Sequence, residues 1–141
     1  MSEYLRPNIE GEIRRISVLG LAHVGDAVFE LMVRTWLCTS GISTAKGLHG
    51  GAVSYVSAKA QAAAFERIKP ILSEEEFEVY KRGRNAHANS VPRSSTSGEY
   101  HKATGLETLF GHLYLSGRAD RLGELFEFVI SEAEKMEGAE R

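Results

Sequence analysis

The sequence predicts an all-α protein, a bundle of about six or seven helices. Three observations carry that expectation. Apolar residues recur at three- and four-residue steps through most of the chain, as they do along one face of a helix. No segment shows the Val/Ile/Thr alternation of a half-buried strand. Glycine, proline and capping hydroxyls interrupt the apolar runs at intervals that suit ordinary helices. With 141 residues and 43% hydrophobic content, one domain spanning 1–141 has enough chain to bury its own core.

Residues 1–12 read as an N-terminal arm without periodicity. From about Ile13 to Thr39, Ile16, Leu19, Leu21, Val24, Val28, Leu31, Thr35 and Trp36 mark one helical run, which Gly20 is placed to bend. Ser40-Gly41 ends it, glycine supplying the left-handed cap. Ser43 or Thr44 caps a short helix through Ala45–Leu48. A further stripe of Val53, Val56, Ala60, Ala64 and Ile68 runs to Pro70. Ser73-Glu74-Glu75-Glu76 is a start signal: the serine caps, and the acids favour the positive end of the helix dipole. That helix should reach about Ala86. The stretch 87–98 is polar, aperiodic and long for a loop. Two last helices run from about Tyr100 to Leu115 and from about Arg118 to Met136, separated by Ser116-Gly117.

The formal net charge of −2 gives no global argument for a polyanionic partner. Local asymmetry does. Between Lys81 and Lys102 the net charge is +4, and between Asp120 and Arg141 it is −4. The basic, hydroxyl-rich segment suits phosphate contacts, and the acidic end suits a solvated helix face. Cys38 is the only cysteine, so no internal disulfide forms. We read it as a small hydrophobe at a helix end in a reducing, cytoplasmic compartment. No apolar run reaches the roughly 20 residues that span a bilayer, and the N-terminus lacks the order of a signal peptide.

Two acids stand apart from the charged surface. Asp26 lies in the apolar run 21–31 between Gly25 and Ala27. There its carboxylate is expected to lose hydration, which costs several kcal/mol unless a cation or donors replace the water. Glu107 lies between Leu106 and Leu109, with no lysine or arginine at 103, 104, 110 or 111 to neutralise it. Two carboxylates from two apolar helices, both near glycine, make a hard-cation site. Magnesium needs only one or two protein carboxylates when phosphate oxygens and water complete its shell. Such an ion polarises a phosphodiester and activates water for in-line attack. The plainer alternative is that both acids face solvent.

The run Leu21-Ala22-His23-Val24-Gly25-Asp26-Ala27-Val28-Phe29-Glu30 resembles the signature helix of the ribonuclease III catalytic domain. Arg82-Gly83-Arg84-Asn85-Ala86, with the segment from Tyr100 to Leu115, resembles the mini form of that family. The similarity covers about residues 15–125, with three motifs in the right order. It implies an all-α endonuclease and a homodimer. It also implies magnesium-dependent cleavage of double-stranded RNA that leaves short 3′ overhangs. The implied role is maturation of the ends of the 23S ribosomal RNA precursor, at the stem where those ends pair, with room for help from a ribosomal protein.

The resemblance makes Asp26 the catalytic aspartate and Glu107 the metal-binding glutamate. Ala22 and Thr104 stand where the full-length enzymes carry two further acids. Arg82, Arg84, Asn85, Arg93 and Lys102 are the expected phosphate and 2′-hydroxyl contacts. His23 and His112 are given no ligand role. Without the separate RNA-binding domain of the larger enzymes, affinity falls to the catalytic domain and its dimer, whose seam is expected on the Asp26 helix. A non-catalytic RNA-binding or ribosome-assembly protein on the same fold is the competing reading, and a duplex-cleavage assay separates the two.

Overall fold

Five of the six α-helices start on a hydroxyl. Ser17, Thr44, Ser57, Ser73 and Thr96 each accept a hydrogen bond from the backbone N–H three residues on. Each bond satisfies an otherwise orphaned donor and contributes about 1 kcal/mol. The computed structural model describes residues 2–86 and 96–140, the last five for their backbone only. The helices are α1 (Val18–Thr39), α2 (Ala45–Val56), α3 (Ala58–Ile68), α4 (Glu74–Arg84), α5 (Ser97–Leu115) and α6 (Ala119–Glu140). Short 3-10 helices occupy Glu10–Arg15 and Lys69–Ile71. Among the described residues there is no strand, so the all-α expectation holds.

The caps also explain where boundaries differ from the apolar pattern. Ser17 divides the expected run from Ile13, leaving a 3-10 segment before it, and Gly20 lies in the first turn of α1 rather than bending it. The helix begun at Ala45 continues through Gly50-Gly51 to Val56, and the break falls at Ser57. Thr96 and Glu99 form a reciprocal capping box, so α5 begins at Ser97 rather than near Tyr100. Gly41 takes the predicted left-handed conformation, with φ of +94°.

Helix α5 is the axis of the molecule, packed against α1, α3, α4 and α6. Its Leu106, Leu109, Phe110 and Leu113 are fully buried. Phe110 meets Phe29 of α1 edge-on at 5.4 Å between ring centroids, and Phe29 meets Phe126 of α6 at 6.1 Å. Burying each such side chain contributes about 1.5–3 kcal/mol. Glu76, 3% exposed, ties α6 to α4. Its carboxylate accepts from Arg121 Nε at 2.8 Å and from a terminal guanidinium nitrogen at 2.9 Å, and from the Ser73 N–H at 2.8 Å.

Two expectations about α1 need correction. Leu31, placed in the apolar helical run, is 62% exposed, because the buried residues of α1 follow the four-residue line Leu21, Gly25, Phe29, Val33 and Leu37, which does not pass through it. Cys38, read as a small hydrophobe, is exposed beside Arg34 and His49. No helix among the described residues is long and apolar enough to cross a membrane.

Candidate active site

Helices α1 and α5 touch backbone to backbone. A Cβ on Gly25 would lie 1.6 Å from the Glu107 carbonyl oxygen, and one on Gly111 would lie 1.9 Å from the Leu21 carbonyl oxygen. Only glycine permits that approach. The crossing therefore brings Asp26, the residue after Gly25, against Glu107. The two carboxylates interact directly, and Glu107 is pushed up to about 9, first by burial and then by Asp26. Among the described residues no cation contributes to that balance.

The dehydration expected at Asp26 falls on its partner. Asp26 is exposed and Glu107 is half-buried, so the pair has one wet and one dry member. Two like charges at the edge of a dry helix crossing are unfavourable, and either a proton or a metal ion relieves them. Hard oxygen donors of this kind suit a divalent cation whose remaining positions are filled by water and phosphate oxygen. Among the described residues no three His, Cys, Asp or Glu side chains converge as a metal site, here or elsewhere, so the donors at this crossing are these two carboxylates.

The comparisons identify the family. The Ribonuclease III domain model matches residues 19–118, a span that contains both carboxylates and both crossing glycines. The chain belongs to the ribonuclease III family. Among its relatives is the Mini-ribonuclease 3 of Symbiobacterium thermophilum, 44% identical over 109 residues, or 77% of this chain and 84% of that protein. The Mini-ribonuclease 3 of Brevibacillus brevis is 43% identical over 118 residues, covering 82% and 88%. A crystal structure of a Fusobacterium nucleatum protein superposes with a TM-score of 0.77 at 33% identity, covering 86% of this chain and 98% of that one. Membership makes the chain an endoribonuclease of the ribonuclease III type.

Where larger family members are expected to carry two more acids, Ala22 and Thr104 are buried. The Thr104 hydroxyl donates to the Tyr100 carbonyl at 3.0 Å, so it is spent on its own helix. His23 is exposed and His112 is buried, its basicity lowered first by burial.

The basic residues do not form one surface. Arg82 lines a cavity of about 640 Å³ with Arg14, Glu75, Glu78, His112 and Ser116. Arg84 lies over the Tyr80 ring at 5.7 Å and donates from Nε to Asn85 Oδ1 at 3.3 Å. Lys102 is held by Glu66 at 2.8 Å. Arg93 lies outside the described residues. Glu66 escaped the sequence reading because nothing local links it to a lysine 36 positions away.

Proposed function

We propose that this endoribonuclease cleaves double-stranded RNA with magnesium held between Asp26 and Glu107, working as a homodimer with one such site on each copy. The observation that carries the reading is the facing carboxylate pair at a crossing only glycine allows. Bound magnesium supplies the charge that polarises a phosphodiester and activates water. Glu107, desolvated on one side, would hold the cation once its proton had passed to solvent. Asp26, exposed on the other side, would complete the protein ligands and orient the attacking water. Arg82, Arg84, Asn85, Lys102 and Arg93 serve docking, through phosphates and 2′-hydroxyls, rather than the reacting bond.

A dimer seam on α1 is supported by the open, mainly apolar hollow formed by His23, Val24, Ala27, Val28, Leu31 and Tyr114. Residues 1–141 then act as one catalytic domain in the cytoplasm. The natural substrate in this reading is the paired ends of the 23S ribosomal RNA precursor, as the resemblance of the sequence motifs to the mini form implies, with a ribosomal protein assisting. Purified protein is incubated with a labelled duplex RNA, with and without magnesium. Discrete products with staggered ends, formed only with the metal, are expected. Duplex binding without cleavage would overturn the reading.

A further inference from the structure

Where α3, α4 and α5 meet, one carboxylate stands among several cations. Glu66 Oε1 is 2.8 Å from Lys102 Nζ. The Glu66 carboxyl lies below its usual range, first through the Lys102 hydrogen bond and also through the field of Lys69. Tyr80 links this pair to Arg84: its ring lies under the guanidinium, and its hydroxyl feels both Arg84 and Glu66. Stacking on Phe65 at 3.6 Å fixes the Tyr80 ring. Lys102 therefore holds this acid directly, Lys69 acts on it through its field, and Arg84 is linked to it through the fixed Tyr80 ring.

We propose that Glu66 gates this surface, holding Lys102 in the free enzyme and yielding it to a backbone phosphate when a duplex seats. The proposal rests on the reading of Lys102 and Arg84 as RNA contacts. Both partners are about half exposed, with 41% and 48% of their side-chain surface open to solvent, so the pair is weak and exchanges readily. Glu66 is a positioning residue with a repulsive role. A phosphate that does not reach Lys102 meets the Glu66 carboxylate, while one in register displaces it, and the freed carboxylate then offsets the counterion release that the phosphate contact would otherwise give. Lys102 lies five residues before Glu107 on α5, about 7.5 Å along the helix axis. A phosphate seated there is thus tied by a rigid helix to the carboxylate pair.

The test is a set of duplex-RNA titrations in chelator at several salt concentrations, with the full chain and four variants. These are Glu66→Gln, Lys102→Ala, the two combined, and Glu132→Gln. The last removes the same charge from another exposed pair, Glu132 with Lys135 at 3.2 Å. Glu66→Gln is expected to tighten binding on the order of threefold to tenfold and to steepen the log affinity–log salt slope by up to about one unit. With alanine at 102, at least half of that gain should vanish. No gain from Glu66→Gln, or an equal gain from Glu132→Gln, overturns the gate. If Lys102→Ala leaves affinity and slope unchanged, the RNA-contact reading of Lys102 fails instead. Glu66→Ala repeats the test without the amide.

Discussion

Glu107 and Asp26 show how far single residues were legible. The apolar neighbours of Asp26 marked the right helix, yet periodicity gives angles within one helix and not the partner that crosses it. Burial therefore fell on Glu107, through a contact between positions 25 and 107 that local spacing does not encode. A pH dependence follows. In chelator, folded Glu107 keeps its proton up to about 9, whereas the unfolded chain releases it near the ordinary 4.5. The folded state binds more protons across that window, so this residue's contribution falls as pH rises. Glu107→Gln should abolish cleavage yet melt above wild type in chelator. The gain should be near zero around pH 4.5 and grow to several degrees by pH 9, read from melting curves at matched pH. A constant offset would show that folded Glu107 does not hold its proton above the ordinary carboxylate range.

At the scale of elements, helix starts were legible wherever the cap was anticipated, as at Ser73, and misplaced where an uncounted serine cut an apolar run, as at Ser17 and Ser57. The α1/α5 crossing makes its own prediction. Gly25→Ala and Gly111→Ala each drive a methyl into a carbonyl oxygen, so the helices must separate. A loss of about 3 kcal/mol or more is expected by urea unfolding, with cleavage falling too. The α4/α6 clamp makes another. Arg121→Ala leaves the Glu76 carboxylate buried without its cation and should cost about 3–5 kcal/mol. Arg121→Lys should recover little of that, because the forked contact is lost. Glu76 lies below its usual range because of Arg121, so its contribution is present above about 4.5 and is lost as pH falls.

For the whole molecule, fold class and family were legible because three separated motifs agree, whereas the division of the basic segment was not. Arg82 and Arg84 are two residues apart yet leave α4 in different directions, one into a cavity and the other over Tyr80. Assembly gives a further prediction: sedimentation at micromolar concentration should show about twice 15.5 kDa, and Leu31→Glu should shift it to the monomer with helicity intact. The carboxylate pair itself is tested most directly by single-turnover cleavage of one duplex across a magnesium titration, comparing wild type with Asp26→Asn and measuring RNA binding alongside. The expected result is undiminished binding and a cleavage rate at least about a thousandfold lower for the variant at every magnesium concentration. Cleavage by Asp26→Asn at the wild-type rate, with contaminating nuclease excluded, would contradict the assignment.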